Sequence, residues 1–312
     1  MTGVIRTIGG DLPAELAGPV YAHEHLIVDS PLVAETMPDI HLHSVEEARA
    51  EIQTCIAAGV RTMVDAMPAG SGRDPERLSR ISVLTGMRVV AATGLHTEKY
   101  YVDVEWANEE TAEQLAGRFI ADVVDGIDKH DYRCEAIERI MARAGVVKVA
   151  TMAAELTARD RRLFEAAALT IAATGVPILT HTEGGQGGYE QIELLADLGV
   201  SPERVALSHT DKVADRGYHG AMLETGALLC YDQGLREPEQ TLELIENMVE
   251  AGFSGQLLLG TDGARRALWS TLGGSPGLSS LYVMMRERFD PALVEEVFIT
   301  NPAVYLALNP ES

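Results

Sequence analysis

The run Ala22-His23-Glu24-His25-Leu26 places two histidines at i and i+2 inside an apolar stretch, and in a strand that spacing sends both imidazoles to one face. Four further apolar runs carry a polar residue inside or at their C-terminal end. These are Val147-Lys148-Val149, Leu179-Thr180-His181, Leu207-Ser208-His209 and Gly260-Thr261-Asp262. Taken singly they are ordinary, since a strand-end histidine is commonly a satisfied core residue and a strand-end aspartate commonly caps the next helix. Taken together, imidazoles and a carboxylate at the same end of successive strands form a donor set suited to Zn²⁺, Mn²⁺, Co²⁺ or Fe²⁺, with Zn²⁺ the first expectation.

Lys148 decides how many ions such a set can hold. An ammonium about 4 Å from a divalent cation is repelled by roughly 8 kcal/mol at an effective dielectric of 20, so it cannot persist there. A neutral amine can add carbon dioxide, and the resulting carbamate has two oxygens with which to bridge two metals. Two divalent ions balanced by the carbamate, Asp262 and a bridging hydroxide leave a residual charge of about +1, which a buried site tolerates. The alternative is a lysine whose amine snorkels out of the fold.

These residues need elements that bring strand ends together. Apolar runs alternate with segments of helical periodicity, the pattern of a parallel sheet with crossover helices. Eight strands are expected, at residues 19–29, 61–66, 88–96, 144–151, 176–183, 204–211, 227–234 and 256–264. Their continuous apolar character suits a sheet covered on both faces. Between them, Ser44 and Glu47 read as a capping box opening a helix over 44–58 that Gly59 ends. Helices are also expected over 74–85, 158–174, 189–198 and 237–250, and more than one within 111–143. No Gly-rich nucleotide fingerprint follows the first strand and no linker divides the chain. The expected fold class is therefore α/β, a single-domain (β/α)8 TIM barrel spanning 1–312 with a short N-terminal extension, with its active site at the C-terminal ends of the strands.

Composition narrows the partners. The 312 residues include 25 Lys+Arg against 47 Asp+Glu, a net charge of −22 that repels both a phosphate backbone and an anionic leaflet. Neither nucleic acid nor a membrane surface is an expected partner, and a small-molecule substrate is. Three cysteines at unpaired spacings and an N-terminus without a secretory pattern lead to the expectation of a cytoplasmic protein.

The His-x-His of the first strand, the lysine of the fourth, the histidines of the fifth and sixth and the aspartate of the eighth resemble the phosphotriesterase family of the amidohydrolase superfamily, in its branch of phosphotriesterase-related proteins and lactonases. Val64-Asp65-Ala66, Gly72-Arg73-Asp74, Ala92-Thr93-Gly94, Gly145-Val146-Val147-Lys148 and Asn301-Pro302 extend the resemblance over essentially the whole chain. It implies two divalent ions, with His23, His25 and Asp262 on the more buried one, His181 and His209 on the more exposed one, and carboxylated Lys148 between them. It also implies a hydroxide nucleophile and Asp262 as the catalytic residue that relays its proton. A homodimer is implied by the same resemblance.

The sequence departs from that family's pattern at several positions. His96 stands where phosphotriesterases carry Trp and lactonases usually Tyr. Gln233 replaces the His or Arg after Asp232, and Lys212 replaces an acidic residue three positions after His209. The phosphotriesterase proton relay is thus absent, and only weak, promiscuous organophosphate hydrolysis is expected. His96, Gln233, Arg265 and Arg266 are the candidate substrate contacts, the two arginines suiting a carboxylate, sulfonate or phosphate. Asp65 is expected to orient a ligand histidine. Glu24 and Glu183 are expected to face away from the site, and His41 and His43 to lie in a solvated loop. The expected activity is a binuclear metal hydrolase acting on a lactone, carboxylic ester or N-acyl substrate. The alternatives are a mononuclear deaminase, which has no use for Lys148, and a non-catalytic metal-binding barrel.

Overall fold

A computed structural model describes residues 3–308. Two short strands, β1 (Val4–Thr7) and β2 (Gly10–Pro13), form an antiparallel hairpin ahead of the barrel. Eight parallel strands follow: β3 (Val20–Glu24), β4 (Thr62–Asp65), β5 (Arg88–Gly94), β6 (Ala144–Thr151), β7 (Ile178–Thr182), β8 (Val205–Ser208), β9 (Leu228–Tyr231) and β10 (Leu257–Leu259). They are hydrogen-bonded in sequence order, the neighbour-to-neighbour path of a TIM barrel. Each lies inside one of the eight expected segments.

Closure between the last strand and the first depends on a glycine. The Thr261 and Asp262 N–H groups donate to the His23 carbonyl at 3.2 and 3.0 Å. A Cβ on Gly260 would sit 2.6 Å from that same oxygen, so only glycine lets the two backbones approach. Gly94 does the same between β5 and β6: its φ is +96° and a Cβ there would fall 2.0 Å from the Lys148 carbonyl oxygen.

The two-residue period of the strands sorts side chains into two cores. Val20, Val64, Val90, Val146, Leu179 and Leu258 point into the barrel, whose N-terminal end is stoppered by Ile5 of the hairpin and by Tyr305 and Leu306 of the helix Asn301–Leu306. Val147 and Val149 face the helices, so Lys148 between them faces inward, two residues beyond Val146. The helices end as their sequences dictate. Pro75–Thr85 begins on the Asp74 side chain and stops on left-handed Gly86, and Ala158–Thr174 stops on left-handed Gly175. Among the described residues no helix is long and apolar enough to cross a membrane.

Two local expectations are overturned. Only one helix, Ala112–Val124, lies within 111–143. Beyond it the chain is a loop organised by the buried Asp128 carboxylate, which accepts the N–H groups of Tyr132 and Glu138 at 2.7 Å each and so replaces helical bonding. The capping box at Ser44 is half formed: Ser44 accepts from the Glu47 N–H, but the Glu47 carboxylate is engaged by Arg266 instead of reaching back.

Candidate metal centre and its pocket

All six expected metal ligands converge at the C-terminal mouth of the barrel. His23 sits in β3 where its register with β4 shifts between Tyr21 and Glu24, an irregularity that re-aims the strand end. His25 follows one residue beyond the strand. His181 belongs to β7, and Lys148 lies in β6 with no solvent exposure. His209 and Asp262 stand just after β8 and β10 in left-handed conformations, φ 68° and 45°. Non-glycine residues adopt that region at a cost of order 1–3 kcal/mol, and such residues cluster at functional sites.

Hydrogen bonds fix the rings. Asp232, immediately after β9, accepts from His23 Nδ1 at 2.9 Å and from His209 Nδ1 at 2.7 Å. Each histidine therefore turns a bare Nε2 inward, that of His23 lying 3.5 Å from Lys148 Nζ. His181 Nε2 donates to Glu183 Oε2 at 3.1 Å, leaving its Nδ1 to face His209 Nε2 at 2.9 Å. Two acceptor nitrogens at that separation repel unless a proton or a cation lies between them. His25 Nε2 is 3.5 Å from Asp262 Oδ1, while its Nδ1 is buried without a hydrogen-bond partner.

The electrostatics suit metal ligation. Burial holds His23 well below the usual imidazole range, and brings His25 down to about 4 and His181 to about 3, so these rings are neutral and free to act as donors at pH 7. Burial likewise lowers the Lys148 ammonium to about 8. Burial raises the Asp232 carboxyl, but the His209 and His23 imidazoles outweigh it and keep Asp232 well below its ordinary value and anionic. Neutral imidazoles, an acid and an orphaned ring nitrogen fit a divalent cation. His23, His25 and Asp262 can bring one donor atom each within 4.8 Å of one another.

A cavity of about 450 Å³ opens above this cluster. His96 lines it, its ring 4.5 Å from Tyr100 and 5.0 Å from His181, centroid to centroid, so it is a wall residue and not a solvated loop residue. On a chain of net charge −22, four basic side chains reach this cavity: Lys99, Lys212, Arg236 and Arg265. Arg236 also binds the Asp262 carbonyl at 2.6 Å and its carboxylate at 3.3 Å, tying down the left-handed residue.

Several expected roles are corrected. Gln233 is buried away from the cavity and donates to Asp232 at 2.6 Å, because the chain turns after β9 and directs the amide inward. Arg266 donates to Glu47 at 2.9 Å and to the His41 carbonyl at 3.3 Å, so its charge is already satisfied on the flank of the barrel. Asp65 touches no histidine ring; its carboxylate accepts the Leu26 and Met67 N–H groups at 2.7 and 3.1 Å, holding the backbone that follows His25. Glu183 lines the cavity and engages His181, contrary to the expectation that it faces away. Glu24 does turn from the site, accepting from the Thr261 hydroxyl at 2.5 Å. His41 pairs with Asp29 at 2.7 Å and stacks on His43, beside a turn, Pro38–Ile40, that lines the cavity mouth. Lys99 and Arg236 were not among the expected site residues, and Asp232 was matched only to the family's strand-seven aspartate, with no role assigned. Asp232 alone had a readable signal, a polar residue directly after an apolar strand.

Comparison with known proteins identifies the family. A "phospho-furanose lactonase" of Mycoplasmopsis agalactiae is 32% identical over 232 residues, which are 73% of this chain and 66%, just under two thirds, of that relative's length. The crystal structure of an amidohydrolase from Mycoplasma synoviae superposes with a TM-score of 0.93 at 26% identity, covering 99% of this chain and 93% of that one. A lactonase from Listeria monocytogenes gives a TM-score of 0.87 at 26% identity, with 97% and 99% covered. The sequence model of the phosphotriesterase family matches residues 4–296. The chain belongs to the phosphotriesterase family, a family of metal-dependent hydrolases.

Proposed function

We propose that the protein is a binuclear hydrolase that opens a small anionic lactone, in the manner suggested by the names of its lactonase relatives. The observation that carries this reading is the pairing of a six-residue ligand cluster with a cavity whose free charges are mostly basic. His23, His25 and Asp262 would hold one ion and His181 and His209 the other, with Lys148 between them as a carbamate. A neutral amine fraction near pH 7, left by the burial of Lys148, supports that modification. Divalent ions held there supply Lewis-acid activation of water and of the substrate's carbonyl or phosphoryl oxygen.

The chain's own residues do the rest. Asp262, its backbone fixed by Arg236, accepts the proton of the attacking water and returns it to the departing ring oxygen. His96 and Tyr100 form the apolar wall for the lactone ring. Lys99, Lys212 and Arg265 draw a phosphate or carboxylate substituent into the cavity, while Arg236 is committed to Asp262. A phosphotriester is uncharged and gains nothing from those cations, and Gln233 and Lys212 stand where a relay would need other residues, so organophosphates are poor substrates in this reading. A mononuclear deaminase would leave the buried Lys148 without a role. Cytoplasmic location and a homodimer remain expectations of the same reading.

The test is a substrate panel with metal-reconstituted protein, scored by kcat/KM over phosphorylated furanose lactones, neutral lactones, aryl esters, N-acyl amino acids and phosphotriesters, together with elemental analysis of bound metal. Highest turnover on a phosphorylated lactone with two metals per chain is expected. Preference for phosphotriesters or N-acyl amino acids, or fewer than two metals, would overturn the assignment.

A further inference from the structure

Asp232 touches histidines that the proposed function assigns to different ions. It is fully buried, and each of its oxygens accepts two donors. Oδ1 takes His209 Nδ1 at 2.7 Å and Gln233 Nε2 at 2.6 Å. Oδ2 takes His23 Nδ1 at 2.9 Å and the His209 N–H at 3.1 Å. With its oxygens so occupied the carboxylate is fitted to orient ligands and not to ligate, although it lies within reach of a cluster with His23 and His209. Arg236 ties the same residue from behind, donating to the Asp232 carbonyl at 3.2 Å while also holding Asp262.

We infer that Asp232 is a shared positioning residue that fixes the Nδ1–H tautomer of both His23 and His209, so that a single carboxylate sets the affinity of both metal positions and couples them. The inference rests on the binuclear reading given above. The carboxylate symmetry makes the coupling possible: both rings come from different strands, β3 and the end of β8, yet each meets an oxygen of the same group. A hydrogen-bonded carboxylate behind a ligand histidine fixes the ring and raises its basicity, and its removal costs about ten- to a hundredfold in metal affinity. Here one removal acts on two rings.

The graded outcome distinguishes Asp232→Ala from Asp232→Asn. Alanine removes both acceptors, and each of two stepwise Co²⁺ or Zn²⁺ binding constants should fall by about ten- to a hundredfold. Asparagine keeps one acceptor oxygen and presents an amide donor at the other position. One constant should then fall while the other stays within a fewfold of wild type. A readout that needs neither metal nor variant is ¹⁵N-detected histidine tautomer assignment in metal-free wild-type protein, where both His23 and His209 should carry the proton on Nδ1. Either ring protonated on Nε2 instead would refute the inference, as would an alanine variant that weakens one site only. Wild-type protein that binds fewer than two metals while both rings are Nδ1-protonated would sink the binuclear reading and the coupling with it, leaving the tautomer assignment standing.

Discussion

Arg265 and Arg266 are adjacent in sequence, yet the structure gives them different fates, and exchanging each for alanine separates them. Arg265 is exposed on the cavity wall. Arg266 is spent on Glu47, an ion pair with both side chains about one-third exposed, at 33% and 32%. A hydrogen bond from a cation to a charged substrate group contributes roughly 1.5–3 kcal/mol, and the solvent exposure of Arg265 puts it at the lower end. Arg265→Ala should therefore lower kcat/KM for a phosphorylated lactone by about tenfold, mainly through KM, since the charge is present in ground and transition states alike. A neutral lactone of the same ring should be unaffected. Arg266→Ala should leave both substrates unchanged and cost only about 0–1 kcal/mol of stability. Steady-state kinetics on the paired lactones with both variants decide the matter. Equal losses on the charged and neutral substrates for Arg265→Ala, or a selective KM increase for Arg266→Ala, would refute the assignment of the cavity wall.

Three further outcomes follow from buried features. Arg73, wholly buried, pairs with Asp122 at 3.0 Å and Asp131 at 2.9 Å and donates to the Ala92 carbonyl at 2.8 Å, so Arg73→Ala leaves Asp131 without an ion pair and Asp122 with only the longer 3.5 Å pair to Arg139, and should cost about 3–5 kcal/mol in denaturant unfolding. Gly94→Ala drives a Cβ onto the Lys148 carbonyl in a left-handed conformation; a loss of about 3 kcal/mol or more and a reduced metal content are expected, and a wild-type metal content would show that β6 is not displaced. Burial raises the Asp65 carboxyl from its ordinary value near 3.8 to about 7, against the pull of the Leu26 and Met67 N–H groups. The native state thus holds a proton that the unfolded chain releases earlier. The Asp65 contribution is greatest below pH 3.8 and is lost as pH rises through about 7. Thermal unfolding against pH should show wild type losing stability relative to Asp65→Asn, whose side chain does not titrate, between about pH 3.8 and 7; a wild type that holds or gains on the variant over that window would contradict it.

The strands and the ligand set were legible in the sequence because both obey short periods. A continuous apolar run with one polar residue near its end marks a barrel strand, and the i, i+2 pairing of His23 with His25 follows from strand geometry alone. Glycine stops at Gly59, Gly86 and Gly175 were equally local, each resting on the backbone freedom of a single residue. What the tertiary structure decided is how polar groups far apart in sequence divide one another's hydrogen bonds. Glu47 reads as half of a capping box until Arg266, 219 residues away, claims it. Asp65 reads as a partner for a ring until the Leu26 N–H, just after His25, and the Met67 N–H, two residues beyond Asp65 itself, claim its two oxygens. Lys99, Lys212 and Arg236 carry no periodic signal, since they sit on loops whose paths depend on what they pack against. Asp232 draws its importance from two imidazoles contributed by other strands. Local pattern sets where a chain turns and which face it buries; which charge meets which is settled only when the barrel closes, because an electrostatic partner is defined by distance in space and not by position along the chain.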